Sequence, residues 1–501
     1  MRKPDWVRLS TFALGLVTAF SACRSDPTQP PPLVTPDAAV AGSGGRGGSG
    51  GRSGSNPMDA AAPMDVADAP ASGDGLADGS IGDGAGDGAS LEGGVLPDGS
   101  PGDLQPGMAL RPFYSHPFRY PQGVIMPTAP QAMLDAAVAS YYDKWKAKHL
   151  ASGCGGNYLK AGSTFGGSIL TVSQIHGYGM LAAVIMAGHD MNAQETFDGF
   201  FRVARMFKSS ANPALMAYEV RNNCVAASGP VSQTDGDLDI ALALLMADKQ
   251  WGSGGTVNYL QEARTIIAAI KQNNINTVNG LPLLGDWVVA TDTKFWFGMR
   301  TADFMPNAFR QMATATNDPS WMTTVENGYA LIASIQQNHS AETGLLPDFI
   351  QNTNNSPSPA PANWSTSGQP NDGQYFYEAC RIPVRLALDF FVGGGTEARA
   401  KAVLAKINTW LRMATGNNPN QIRDGYRLNG TILGTGGSFA FEGPFGVASM
   451  VDVANQEWLN AIWQRASTGD PNDDVYADTI RLLSLIIMSG NWWPPYTQTA
   501  F

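Results

Sequence analysis

The sequence predicts an all-α domain, an α/α toroid of inner and outer helices, carried behind a long tether. Two observations point there. Stretches that are apolar on every side alternate with amphipathic ones from about residue 128 onward, and the composition changes sharply near residue 108. A helix apolar all round is buried all round, whereas a helix with one apolar stripe keeps a face in water. Their alternation describes an inner ring wrapped by an outer ring, with helix pairs as the unit. A helical solenoid built from similar pairs is the other architecture that the pattern allows.

Residues 1–23 read as an export signal. Arg2, Lys3 and Arg8 flank the apolar run Thr11 to Phe20, which is too short to span a bilayer and suits a signal peptide. The run ends in Phe20-Ser21-Ala22-Cys23, small residues before a cysteine, like a bacterial lipoprotein cleavage box. The expectation is a lipid on Cys23 as the only membrane attachment, placing the protein at the bacterial outer membrane or cell surface; ordinary cleavage and secretion is the alternative.

Residues 24–108 read as a disordered tether. They hold a Pro-Pro-Pro run, a Gly/Ser run and an Ala/Asp/Gly run, with twelve acids against three arginines. Gly-rich segments with few large apolar residues stay flexible. The formal net charge is −11, but only about four of those negative charges fall after Met108. The acidity therefore says little about a substrate, while the lack of a basic excess argues against nucleic acid.

Residues 109–501 form one block without a second low-complexity break. Helices are expected near 128–150, 178–189, 193–208, 237–250, 256–272, 302–315, 321–337, 381–392, 396–413, 447–454, 455–466 and 473–489. Residues 256–272 put Ala263, Ile266, Ile267 and Ile270 on one stripe, and 399–413 do the same with Val403, Ile407 and Leu411. By contrast, 179–187 and 238–247 are apolar nearly all round. The polar motifs stand where loops enter buried helices, the positions that line one end of a toroid. Cys154, Cys224 and Cys380 show no zinc-like spacing. Cys154 and Cys224, each on a loop leading into a motif helix, are expected to bridge and leave Cys380 free. No metal or other cofactor is expected, and the protein is expected to be a monomer.

The motifs are, in order, Val172-Ser173-Gln174-Ile175-His176-Gly177-Tyr178-Gly179-Met180, Phe197-Asp198-Gly199, Thr234-Asp235-Gly236-Asp237-Leu238-Asp239-Ile240-Ala241, Gly285-Asp286-Trp287, Tyr377-Glu378-Ala379-Cys380-Arg381-Ile382-Pro383 and Asn491-Trp492-Trp493-Pro494. Together they resemble glycoside hydrolase family 8, the bacterial endoglucanase, xylanase and chitosanase family, over roughly residues 112–495. The resemblance implies an (α/α)6 barrel that hydrolyses β-1,4-linked glycans with inversion. Inversion uses a carboxylic acid on the leaving oxygen and a carboxylate that activates water on the opposite face, about 6.5–9.5 Å apart.

Mapped by resemblance, the general-acid position holds Gln174, which can hydrogen-bond a glycosidic oxygen but not protonate it. The base position holds Glu378 where many members have Asp, with Asp372 in reserve. Asp235 matches the third acid, which grips the sugar at the cleavage point, and Asp237 is its alternative. Thr234 and Asp235 also suit a helix N-cap, and Asp237 and Asp239 a first turn. Arg381, three residues past Glu378, is expected to support its charge. Tyr178, His176, Tyr377 and Trp287 are the remaining substrate-binding candidates; Trp296 and Trp364 are further loop tryptophans, whereas Trp145, Trp410, Trp458 and Trp463 sit in amphipathic helices and are expected in the core. The implied function is an exported β-glycan hydrolase. Gln174 raises the alternative of a catalytically silent glycan-binding protein on the same fold.

Overall fold

The computed structural model describes residues 108–497, Ser367 excepted. The expected export signal, Cys23 and nearly all of the tether lie outside the described residues. Among the described residues twelve α-helices follow one another: α1 (Gln131–His149), α2 (Ser173–Ile185), α3 (Ala193–Met206), α4 (Thr234–Trp251), α5 (Tyr259–Asn273), α6 (Pro306–Thr316), α7 (Trp321–His339), α8 (Ile382–Val392), α9 (Ala398–Ala414), α10 (Phe439–Ser449), α11 (Gln456–Ala466) and α12 (Val475–Met488). Each answers to one of the helices expected from hydrophobic periodicity.

The even-numbered helices are inner. Every residue of α2 and α12 is buried, and α4, α8 and α10 are buried nearly throughout. They pack in a closed ring, α2 on α4, α4 on α6, α6 on α8, α8 on α10, α10 on α12 and α12 back on α2. Closure of that ring makes the domain an (α/α)6 barrel and excludes the solenoid, whose end helices would not meet. The odd-numbered helices form the outer layer, with α3 on α2, α5 on α4, α7 on α6, α9 on α8, α11 on α10 and α1 on α12. Their apolar stripes face inward as expected: Ala263, Ile266, Ile267 and Ile270 of α5 are buried, as are Val403, Ile407 and Leu411 of α9. Trp145, Trp458 and Trp463 lie in the core, while Trp410 is half-buried against Tyr426.

Two boundaries differ from expectation because packing overrides local propensity. α2 starts at Ser173, five residues early, so Gln174 and His176 stand in its first turn rather than on a loop. α10 starts at Phe439, eight residues early, and runs through Gly443, Pro444 and Gly446. A side chain at Gly443 would meet Ser484 Oγ at 2.7 Å, and one at Gly446 would meet Met488 Sδ at 2.7 Å. The two glycines, poor helix formers, are what let α10 lie close against α12.

Short strands, which the helical periodicity did not announce, sit in the connections. β1 (Leu150–Gly153) and β2 (Gly156–Leu159) form a hairpin; β3 (Ile169–Val172), β4 (Glu219–Arg221) and β5 (Val225–Ala226) form an antiparallel sheet leading into α2; β6 (Met299–Arg300), β7 (Phe349–Gln351) and β8 (Ser358–Pro359) form another leading toward α6. Cys154, at the turn of the first hairpin, is bonded to Cys224, at the turn between β4 and β5, and Cys380 is free and buried. Both bonded cysteines have positive φ in tight turns, which presents their side chains to each other across 5.3 Å between Cα atoms.

Candidate active site

Because outer and inner helices alternate along the chain, the inner helices share one direction and their N-terminal turns gather at one end of the barrel. The closest meeting there is between α2 and α4. A side chain at Gly177 would come within 2.7 Å of Asp239 Cβ, and one at Gly236 within 2.5 Å of Ser173 Oγ. With glycine at both positions the two first turns touch directly. Gln174 Nε2 then donates to Asp235 Oδ2 at 2.6 Å. The N-cap expected of Thr234 and Asp235 is not what these residues provide: helix α4 begins at Thr234, whose hydroxyl donates to the Leu283 carbonyl.

Asp235 is buried, and its carboxylate accepts hydrogen bonds from three groups. Besides Gln174, these are the Gly236 amide at 2.9 Å and Arg381 Nη1 at 2.7 Å; Arg300 Nη1 adds an ion pair, 3.3 Å from Oδ1. Burial alone would push its pKa up, but Arg300 and Arg381 outweigh that and hold it well below the usual carboxylate range.

Glu378 stands at the turn leading into α8. Its Oε2 is shared by the same two guanidinium groups, Arg381 through Nη2 and Arg300 through Nε at 3.2 Å. Asp348, next to β7, fixes the backbone beneath it by accepting from the Phe376 and Ala379 amides at 2.9 and 2.7 Å. The Glu378 side chain is 16% exposed, against 2% for Asp235, so Glu378 is the carboxylate of the pair that solvent or a ligand reaches. Arg381 also donates to the Tyr178 hydroxyl at 3.2 Å. Gln174, Asp235 and Glu378, separated widely in sequence, are thus gathered around Arg300 and Arg381. The positive charge among these carboxylates comes from arginine, and among the described residues no group of His, Cys, Asp and Glu is arranged to hold a metal ion.

Several candidates fall elsewhere. Asp237 is buried on the far side of α4, accepting from the Met216 amide at 3.3 Å and Asn274 Nδ2 at 3.2 Å; burial and nearby Asp286 raise its pKa, and it does not share the arginines with Asp235. His176 is fully buried between α2 and α3, with Nε2 2.7 Å from the Phe200 carbonyl and its ring edge-on to Phe200, so it is held against α3 and away from Asp235 and Glu378. Tyr178 is buried behind Arg381, a partner of the arginine rather than an open sugar platform. Asp372 is buried, with its oxygens taken by the Ser365 amide at 2.6 Å and hydroxyl at 3.0 Å. Trp364 is buried in a satellite cluster with Phe295 and Phe349, and Trp296 is half-buried against that cluster. Trp287 is half-buried and lines a narrow pocket beside Arg300 with Gln233, Leu284 and Phe349. Tyr377 is half-buried, 3.4 Å from Asp424 through its hydroxyl.

Arg300, Asp303 and Asp348 belong to the site but to none of the quoted motifs. The sequence held a signal for the first two: they stand shortly before the buried helix α6, as Glu378 does before α8.

Residues 121–490 match the family model for glycosyl hydrolases family 8. The chain is 42% identical over 385 residues to a beta-glucanase of Niallia circulans, covering 76% of this chain and 91% of that protein. It is 38% identical over 382 residues to an endoglucanase of Bacillus sp. (strain KSM-330), covering 74% and 80%. The solved apo structure of a β-1,3-1,4-glucanase from Paenibacillus sp. X4 superposes with a TM-score of 0.72 at 42% identity, over 77% of this chain and 99% of that one. Rex8A from Paenibacillus barcinonensis, solved with xylose, shares the fold at 16% identity and a TM-score of 0.60, over 78% and 98%.

Proposed function

The chain belongs to glycosyl hydrolase family 8, and from that premise we propose that it binds and cleaves β-linked glucan, with inversion, at the inner-helix end that holds Glu378. The observation that carries this is the gathering of Asp235 and Glu378 around one pair of arginines with the Gln174 amide beside them. Glu378, the accessible carboxylate, takes the proton of the attacking water. The water oxygen bonds to the anomeric carbon as the glycosidic bond breaks. Asp235, ionised and rigidly held, stabilises the positive charge that develops on the sugar. The leaving oxygen faces Gln174, which hydrogen-bonds it without protonating it, so its proton comes from water. Missing general acid catalysis costs about 10²–10⁴-fold, and turnover on natural glucan is correspondingly slow. The names of the relatives favour β-glucan over xylan or chitosan.

Release of reducing ends from mixed-linkage glucan, cellulose, xylan and chitosan, measured beside affinity for each, tests the proposal. An aryl β-oligoglucoside with an acidic phenol, which leaves without protonation, should turn over far faster than a natural linkage. Gln174 also favours a second reading, a glycan-binding protein that does not turn over. Affinity for β-glucan without release from either substrate type would establish it; no affinity for any β-glycan would reject both.

The proposal places the protein outside the cytoplasm as a monomer, tethered by a lipid on Cys23 or secreted. The Cys154–Cys224 bond supports an oxidising compartment. Incorporation of labelled fatty acid, lost in Cys23→Ala, tests the lipid, and sedimentation tests the monomer.

A further inference from the structure

We propose that Asp303 is a positioning residue that carries a proton at neutral pH, and that this neutral state leaves Arg300 free to be shared between Asp235 and Glu378. The argument starts from charge. Asp235, Asp303 and Glu378 face Arg300 and Arg381, three acids against two bases, and Asp235, Asp303 and both arginines are almost wholly buried. The neighbouring pair on α4 and α8 does not alter the balance, because Asp239 and Arg385 close on each other through bonds of 2.7 and 2.6 Å. Tyr178 faces Arg381 as a neutral hydroxyl, and Asp348, raised well above the usual range by burial and by Glu378, adds no compensating cation. With all three acids ionised the site would hold a surplus buried negative charge, which burial strongly disfavours.

The contacts identify where the proton sits. Asp235 has three hydrogen-bond donors and an ion pair to Arg300, and Glu378 has two guanidinium groups at ion-pair distance and access to solvent. Asp303, in the 3-10 turn Thr301–Asp303, has Arg300 Nη1 at 3.3 Å on Oδ1, while its buried Oδ2 has no hydrogen-bond partner among the described residues. An uncompensated carboxylate oxygen in that position is much less costly when the group is neutral. The electrostatics agree: burial is the largest influence, Arg300 and Arg381 oppose it, Asp235 and Glu378 add to it, and the net effect drives the pKa up to about 8. Ionisation would put a full negative charge 3.3 Å from Arg300 Nη1 and compete with the 3.2 Å contact of its Nε to Glu378.

The consequence for glycan rests on the functional reading above; the proton does not, and the experiment separates them. In protein labelled with ¹³C at aspartate Cγ, without glycan, the signal missing from Asp303→Asn should sit at the carboxylic-acid position at pH 6.5 and move to the carboxylate position around pH 8. A carboxylate position at pH 6.5 would overturn the proposal. Asp303→Ser provides the same assignment if the Asn variant does not fold. Affinity of the unchanged protein for cellotetraose should fall about tenfold between pH 7 and pH 9, and this slope should be absent from the variant whatever its absolute affinity. An equal slope in both would overturn the positioning role. Absence of binding at every pH would defeat the β-glucan reading and leave the NMR result to decide the proton.

Discussion

Gln174 and Asp235 are joined by a 2.6 Å hydrogen bond from the Gln174 amide to the carboxylate oxygen that also accepts from Arg381. A carboxyl group in place of that amide would lie against an aspartate that two arginines hold ionised. Two adjacent carboxylates do not both ionise readily, so the newcomer would keep its proton and donate it to Asp235. A raised pKa is what a general acid working near neutrality needs. Gln174→Glu should therefore increase release of reducing sugar from β-glucan by about 10²–10⁴-fold, with little change in affinity because the side chains are the same size. If the natural protein is already fast and the variant no faster, the acid lies elsewhere in the cleft.

Arg381 is the bond between the two acids, and its loss should be felt by both. Arg381→Met leaves Asp235 and Glu378 with Arg300 as their remaining cation and strips the Tyr178 hydroxyl of its guanidinium partner. Breaking such a buried network by removing one member costs about 3–5 kcal/mol. Chemical denaturation should show that loss, together with weaker glycan binding. A variant as stable as the parent would mean that the network contributes no net stability.

The Cys154–Cys224 bond closes a loop across a sequence separation of 70 residues. Loop-closure entropy at that length corresponds to about 4 kcal/mol. Thermal unfolding of Cys154→Ser with Cys224→Ser, or of the reduced protein, should begin at a distinctly lower temperature. Cys380 is buried and free, so alkylation of the native oxidised protein should be slow and become fast on unfolding.

His176 should make the domain acid-sensitive. Burial lowers its pKa to about 4, although the Phe200 carbonyl opposes the shift. In the unfolded chain it takes up a proton below about 6.5, whereas in the native protein it does so only below about 4. Its contribution to stability is therefore present above pH 6.5 and is lost as pH falls toward 4, by about 3 kcal/mol in total. Urea midpoints measured from pH 7 to pH 4.5 should fall less steeply in His176→Gln than in the parent. Equal slopes would show that other groups set the acid limit.

Gly177→Ala tests the meeting of α2 and α4. The added methyl would sit 2.7 Å from Asp239 Cβ and 3.3 Å from the Gly236 carbonyl oxygen, so the helices must part. Overpacking of this kind costs about 1–3 kcal/mol, and the separation should stretch the Gln174–Asp235 contact and weaken glycan binding. Unchanged binding would show that the crossing has slack.

Hydrophobic periodicity determined the helices by itself. Which stripes face the core, and that buried helices alternate with half-exposed ones, follow from residues such as Ile266, Ile270, Val403 and Leu411, because burial of an apolar face needs no knowledge of its partner. The motifs likewise marked Gln174, Asp235, Glu378 and Arg381, and the loop-borne Cys154 and Cys224 pointed to their bond. Only the tertiary structure closed the ring, since α12 meets α2 across some 300 residues. It extended α2 back over Gly177, where close helix contact outweighs the poor helix propensity of glycine. It also separated neighbours in one motif, turning Asp235 toward the arginines and Asp237 away, and Gln174 toward Asp235 while His176 faces Phe200. On a helix, residues two apart point to opposite sides, so a motif read along the chain cannot tell which of its members reach the cleft. Arg300 and Asp303 entered the site for the same reason: charge compensation is settled by distance in space, which spacing along the chain does not record.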